Sequence, residues 1–469
     1  MKSLEEYLFN KKEKKSENKN STALNSNNIY SHDFEKIPIH HWYTLVAGFS
    51  GNFIRENLRK YNITKNKILL DPFMGTGTTA LIGMLNYIKV IGNDANPFTH
   101  FVAKVKTNFS IDIKELIELY NTIKNNLESN LENDAKFKWE YIPTTDLKDH
   151  LKTIKNSSSN QIDDVRFEDK VPKMPHLYRW LSPNILKKVI DLKDILKENK
   201  IKNNAINDFI FLAFASILLP ISNLQLSGPK IAYRRKGNKR VLCKNAPIFS
   251  LFLEKTKMMI NDFNIYSKFN NLIKPDLNFG DSRELDKIIK QPIDLILTSP
   301  PYLNEVDYLD NTRLELYFLD FVKDDSDLKD LKRMQIRANS KYLFNDNRDY
   351  PKNIPNINSF DKIIEKCEII REEWVKKKWG WDHPRLVCEY FIDMTKHLES
   401  VTRILKPNGH YVFIVGDSAI INTLIPTDQF LADIAIDLGY SEAKVEPFRK
   451  RGSSRHKINL RESVVSLTL

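Results

Sequence analysis

Short apolar runs interrupt an otherwise polar chain rich in lysine and asparagine, and their lengths predict strands alternating with helices. Ile68-Leu69-Leu70 reads as a buried strand that stops at Asp71-Pro72. A turn holding Gly75 and Gly77 follows, and residues 80–85 have the apolar content of a helix. Val90-Ile91-Gly92 is a second strand, ending at Asn93-Asp94, and residues 293–297 form a third, stopped by Ser299-Pro300-Pro301-Tyr302. Residues 410–417 and 463–467 read as two late strands. Between these runs, residues 111–133 show helical spacing with acidic and basic side chains alternating. Ser182-Pro183 is a helix start, an N-cap followed by proline at the first turn, so 182–225 is predicted mainly helical.

At 469 residues the chain exceeds one compact core. The pattern assigns 30–105, 275–320 and 395–469 to one discontinuous α/β domain, with 106–274 a mainly helical insertion and 325–390 a second one. Residues 1–29 are a polar tail without apolar periodicity or the apolar centre of a secretory signal. The stretch 146–170 is polar and loop-like, with room for a short helix. Residues 209–220 are apolar but fall short of the roughly twenty needed to cross a membrane, so they read as a buried helix. Trp374, Trp379 and Trp381 either close a small core or contact nucleic acid. No internal repeat is present.

Two turns carry the chemistry. Glycines after a strand let backbone approach a ligand closely, and the following helix offers free N–H groups and a positive dipole end. Asp94 closes the next strand, the usual place for a carboxylate that accepts hydrogen bonds from ribose hydroxyls. Gly75-x-Gly77-x-x-Ala80 also fits a dinucleotide fingerprint, whereas no Gly-Lys-Ser/Thr follows to make it a triphosphate-binding loop. At the other turn, two prolines fix φ and remove backbone donors, so the chain leaves its strand stiff and extended. Such a rim either grips a flat, amino-bearing ring or is an ordinary strand exit.

Asp71-Pro72-Phe73-x-Gly75-x-Gly77-Thr78 together with Thr298-Ser299-Pro300-Pro301-Tyr302 resembles the amino-methylating DNA methyltransferases, which act on the exocyclic nitrogen of cytosine or adenine. Further segments match in order: 41–53 is similar to the family's cofactor-capping motif, 279–283 to the strand before the catalytic one, and 404–417 to the step into a late strand. The resemblance covers 40–105, 275–320 and 395–469. It implies an α/β, Rossmann-like class I methyltransferase fold, a mostly parallel twisted sheet with helices on both faces, plus largely helical insertions. It also implies S-adenosylmethionine as cofactor, bound by Asp71, Phe73, Gly75, Thr76, Gly77 and Thr78, with Asp94 on the ribose and Asp281 on the adenine amine. Phe98 packs either on the cofactor or in the core.

In this family the pocket formed by Ser299, Pro300, Pro301 and Tyr302 receives a base flipped out of duplex DNA. Tyr302 would stack on the ring, while Ser299 and the Pro300 carbonyl accept the amine hydrogens. Serine ahead of Pro-Pro-Tyr is more often found in cytosine-N4 enzymes, with adenine-N6 the alternative. The glycine loop precedes the catalytic motif here, although relatives with Thr-Ser-Pro-Pro-Tyr often have the reverse order; target recognition therefore falls to an insertion, with 106–274 the first candidate. The common setting of the family is a bacterial or archaeal cytoplasm, with a cognate restriction endonuclease acting on the same site. An RNA methyltransferase, a nicotinamide oxidoreductase and a non-catalytic DNA-binding subunit remain open classes.

Charge agrees with a polyanionic partner: 72 Lys and Arg against 60 Asp and Glu give a formal net charge of +12. Lysine- and asparagine-rich chains also arise from AT-rich coding, so local clusters weigh more. Arg234, Arg235, Lys236, Lys239 and Arg240 bracket one glycine, and Arg449, Arg451 and Arg455 another; each cluster reads as a phosphate-gripping loop or a solvated turn. Cys243, Cys367 and Cys388 are widely spaced and suggest neither a disulfide frame nor a metal site. No Pro-Cys occurs, so the thiolate attack of cytosine-C5 methylation has no candidate, whereas amine methylation needs none.

Overall fold

The computed structural model describes residues 38–45, 49–135, 139–143, 169–228, 230–269, 271–343, 354–377, 382–453 and 457–469. The tail 1–29, nearly all of 146–170, Trp379, Trp381 and Arg455 lie outside them. Seven strands form the central sheet: β1 (Ile68–Asp71), β2 (Lys89–Asp94), β3 (Asp276–Phe279), β4 (Ile293–Thr298), β5 (Leu405–Gly416), β6 (Glu442–Gly452) and β7 (Asn459–Thr468). Their spatial order is β3-β2-β1-β4-β5-β7-β6. Pairings from β3 across to β5 are parallel, and β7 runs antiparallel between β5 and β6. This is an α/β, Rossmann-like architecture with a mostly parallel sheet, as the resemblance implies.

Parallel strands are covered on both faces, so their sequences read as continuous apolar runs instead of alternating ones. Leu69, Val90 and Leu295 are register partners on one face. There α2 (Thr78–Leu85), which follows α1 (Gly51–Lys60), packs so closely that a Cβ on Gly83 would lie 2.3 Å from Val90 Cγ2. Leu70, Ile91, Ile296 and Tyr411 share the other face. The strand order diverges at β1 and β4: the chain goes from β1 outward to β2 and β3, then crosses back to β4. A crevice opens at such a divergence, beyond the carboxyl ends of the strands.

After β2 comes α3 (Pro97–Lys106), capped by Asn96, whose side chain accepts from the Phe98 amide. Its apolar side joins a second buried cluster built with Asn204–Ile221 (α4) and Ile248–Tyr266 (α5). Helix α4 is long and apolar enough to cross a membrane by length and composition, and two-thirds of its span (67%) is buried here. It forms the centre of this cluster, where Phe209 meets Trp42 edge-on at 5.1 Å. The predicted cap is present in position but not in bonding: Ser182 precedes the helix Pro183–Glu198, yet its hydroxyl donates to the Cys243 carbonyl at 2.6 Å. Short strands at Leu224–Ser227, Lys230–Tyr233 and Lys239–Asn245 interrupt the helical region. Phe98 and Trp374 both pack into cores, Phe98 fully buried and Trp374 against the sheet-side cluster.

On the second sheet face, α6 (His383–Thr402) carries a buried ion network. Asp393 accepts from Arg337 Nε at 2.8 Å and from Arg283 Nη1 at 3.0 Å, and Glu389 accepts from Arg337 Nη1 at 2.8 Å. The arginines hold the Asp393 carboxyl below its ordinary range despite burial. This network ties residues 335–337 of the second insertion to α6. Removing one partner strands a buried charge, so Asp393→Ala should destabilise the fold by about 3–5 kcal/mol, read as a lower urea midpoint.

Candidate active site

β1 delivers Asp71 to the crevice, and the turn after it closes onto the next strand. Gly75 has φ +53 and Gly77 φ +84, left-handed values that side chains rarely adopt. A Cβ at Gly77 would also lie 2.8 Å from Ala103 Cβ on α3, so glycine is required there twice over. Beyond Gly75 the space is open. The Gly75 amide donates to Asp94 at 2.8 Å, which fastens the turn to the end of β2. Asp94 also accepts from the Asn96 amide at 2.8 Å and from Thr99 Oγ1 at 2.9 Å.

β4 delivers the proline turn to the same edge. Leu70 pairs with Ile296, and two residues on, Thr298 Oγ1 donates to Asp71 at 2.5 Å. Ser299 Oγ lies 3.4 Å from the Ile414 carbonyl, and the Pro301 carbonyl accepts from Tyr390 at 3.1 Å. Tyr302 is 8% exposed. Its ring lies against Gly416, where an added Cβ would come within 3.1 Å of both Tyr302 Cε2 and Arg451 Nη2.

One cavity spans the two turns. Asp71, Phe73, Gly75, Thr76, Thr78, Asp94, Ser299 and Pro301 all line it. Residues 40, 44, 45 and 49 border it from the N-terminal side, and Met334-Gln335-Ile336 from the second insertion. Within the predicted capping segment, Trp42 and Tyr43 face away: Trp42 Nε1 donates to Asp262 at 2.9 Å and Tyr43 to Glu315 at 2.9 Å. Thr44, Leu45 and Phe49 do the lining.

Electrostatics in the cavity are dominated by burial. Asp71 and Asp94 are both pushed up to about 6, because desolvation outweighs the hydrogen bonds that favour the charged form. A buried carboxylate, Asp71, and a half-buried one, Asp94, lining one cavity favour a cationic ligand with hydroxyl donors. Phe73, Met74 and Ile336 add apolar lining suited to a purine. This donor set fits S-adenosylmethionine, which carries a sulfonium, an ammonium and ribose hydroxyls. Behind it, His397 Nδ1 donates to the Ser282 carbonyl (2.8 Å), so Nε2 of the neutral ring accepts from the Tyr411 hydroxyl (2.7 Å), and the ring lies 4.9 Å from Phe73. Burial lowers His397 to about 4, so a neutral imidazole braces the cavity wall.

Several predicted residues stand elsewhere. Asp281 does not line the cavity: both its oxygens accept from Arg283, and the strand end presents Ser282 instead. A guanidinium two residues away, itself held by Asp393, outcompetes an outward-facing role. Pro300, Tyr302 and Gly77 are not among the residues that line this cavity. Arg234 donates to the carbonyls of Ser222 and Pro220 at 2.9 and 2.7 Å, so it braces a backbone corner. Arg449 pairs with Glu462 at 3.4 Å, and Arg451 with Glu305. Carboxylates thus occupy two of the cations that the sequence suggested for phosphate, Arg449 and Arg451. Arg235, Lys236, Lys239 and Arg240 remain exposed on a hairpin turned by Gly237.

Sequence reasoning missed Asn96, Thr99, Lys106, Ser282 and residues 334–336. Asn96-Pro97 was a legible helix start, with Thr99 one turn on. Nothing local marked 334–336, which reach the cavity only through the Arg337 network. Outside the turn, residues 304–310 separate this cavity from a polar cleft of about 950 Å³, lined by Lys230, Tyr233, Lys341, Asp417 and Arg451 among others. Among the described residues no group of three metal-ligating side chains converges.

No protein-family model matches the chain. It is 22% identical over 433 residues to the Type II methyltransferase M.BsoBI of Geobacillus stearothermophilus, spanning 88% of this chain and 81% of that protein. It is 21% identical over 448 residues to the Type II methyltransferase M.MvaI of Kocuria varians, spanning 92% and 88%. A shorter match, 26% over 330 residues, is to the Type II methyltransferase M.MjaII of Methanocaldococcus jannaschii, spanning 56% and 59%.

The raised carboxyls set a pH dependence. Both groups accept ligand hydrogens, and attract a cation, more strongly when ionised, and both titrate near 6, above their ordinary 3.8. Affinity for S-adenosylhomocysteine should therefore fall as pH drops from about 7 through about 6, measured by titration calorimetry.

Proposed function

We propose that this chain, a member of the DNA methyltransferase family, methylates the exocyclic N4 amine of cytosine at a specific site in duplex DNA. The observation that carries this reading is the shared cavity: Ser299 and Pro301 line the same space as Asp71, Thr76 and Asp94, although the two motifs lie far apart in sequence.

S-adenosylmethionine, when bound, supplies an electrophilic methyl group on sulfur. The chain's own residues perform the rest. Asp94 takes ribose hydroxyls, and Asp71 with the turn at Gly75 and Thr76 surrounds the methionine end. A target base must leave the duplex, because its amine is buried by pairing and stacking. The polar cleft beyond residues 304–310 supports a path for the DNA strand, and the hairpin of Arg235, Lys236, Lys239 and Arg240 supplies phosphate contacts. Tyr302, backed by Gly416, is the platform for the flipped ring. Ser299 Oγ accepts an amine hydrogen, which raises electron density on nitrogen and turns its lone pair toward the methyl. Held about 3–3.5 Å from its target, the amine gains rate mainly from orientation.

Cytosine-C5 chemistry is disfavoured by the cysteines: Cys243, Cys367 and Cys388 are fully buried and none lines the cavity. A neutral serine at 299 favours cytosine N4 over adenine N6, as in the enzymes the motif resembles. In a restriction–modification system, the expected counterpart is an endonuclease that cuts the same site unless it is methylated.

Nucleosides from plasmid DNA isolated with the active protein should contain N4-methylcytosine by mass spectrometry; N6-methyladenine alone would overturn the choice of base. Tyr302→Ala should reduce methylation at least about a hundredfold while sparing S-adenosylhomocysteine affinity, because stacking serves the base and not the cofactor. Equal loss of both would remove Tyr302 from its role.

A further inference from the structure

Lys106 stands at the last turn of α3, 2% exposed, and lines the cavity. It is the only lysine or arginine among the described lining residues. Its ammonium donates to two carbonyls of the capping segment, His40 at 3.1 Å and Tyr43 at 2.5 Å. Among the described residues no carboxylate is a hydrogen-bond or ion-pair partner of this ammonium, which is unusual for a buried lysine. Burial, with Lys255 nearby, brings the ammonium down to about 7. An ammonium offers three donors, and two are used.

Charge sorting inside the cavity points to what the third donor meets. Among the described lining residues the other acidic or basic side chains are Asp71, Asp94, the phenol of Tyr308, and His40, which burial lowers to about 3 and leaves neutral. S-adenosylmethionine carries two positive groups and one negative group, the α-carboxylate. The acids suit the positive groups and repel the negative one. A desolvated cation lining the same cavity, with no anionic partner among the described residues, is the complementary site.

We propose that Lys106 binds the α-carboxylate of the cofactor's methionine moiety, with the His40 and Tyr43 carbonyls holding its ammonium in place. This assignment rests on the cofactor reading and deepens it. Lys106 is then a binding residue for S-adenosylmethionine, with no part in the transfer itself. A purely structural lysine, holding the capping segment in shape, would affect every ligand of the cavity alike.

The test compares ligands with and without the carboxylate by titration calorimetry on the full chain. Wild-type protein should bind S-adenosylhomocysteine about ten-fold or more tightly than its carboxyl methyl ester, the scale of a charge-assisted contact. Lys106→Met should erase that preference while leaving 5′-methylthioadenosine, which lacks the amino-acid moiety, bound as before. Lys106→Arg, which keeps the charge, should retain the preference. Equal weakening of all three ligands in Lys106→Met, or wild-type protein that binds acid and ester alike, overturns the proposal; the wild-type comparison stands even if the variant does not fold. Wild-type protein that binds none of the adenosyl ligands overturns the cofactor reading itself, and this assignment with it.

Discussion

Thr298 and Asp71 are 227 residues apart and share a hydrogen bond at the carboxyl edge of the sheet. That contact exists because β1 and β4 are parallel neighbours in register, Leu70 beside Ile296. Slipping either strand by one residue would turn its side chains to the opposite face and pull the two turns apart. The glycine turn, the proline turn and the cavity between them all depend on this register. The cost of placing two carboxylates there is visible in Asp71 and Asp94, which burial holds near 6. A cationic ligand relieves the same cost, so the site's strain and its selectivity have one origin.

The insertions do more than decorate this edge. The capping segment is held on the helical cluster through Trp42 to Asp262, Tyr43 to Glu315 and the His41 carbonyl to Lys255. The second insertion supplies residues 334–336 to the cavity wall, fastened by Arg337 to Asp393 and Glu389. Ordinary side chains inside these bodies, such as Lys106 and His397, acquire their roles from what surrounds them. His397 is neutral because it is buried, and it braces both Phe73 and the Ser282 carbonyl.

Arginine pairing shows how tertiary context redirects chemistry that looked plain in sequence. Arg451 resembled a phosphate contact but lies beside Tyr302 with its charge taken by Glu305. Asp281 resembled an adenine contact but faces Arg283. Arg451 meets an opposite charge from a distant segment, and Asp281 meets one two residues along its own chain. The hairpin of Arg235, Lys236, Lys239 and Arg240 has its cations exposed, and none of the four is in an ion pair with a described carboxylate.

Local order was legible in the chain itself. The apolar runs at 68–70, 90–92 and 293–297 are strands, the glycines at 75 and 77 take left-handed φ, and Asn96-Pro97 starts a helix. Each follows from short-range sterics and from burial of consecutive apolar residues, which a sequence states directly. Only the tertiary structure decided which of the candidate residues share a cavity. It admitted Ser299, Pro301, Asp71 and Asp94, placed Tyr302 against Gly416, turned Asp281 outward and brought in Lys106 and residues 334–336. Those outcomes depend on strand register and on charge pairs between distant segments, and neither has a local signature along the chain.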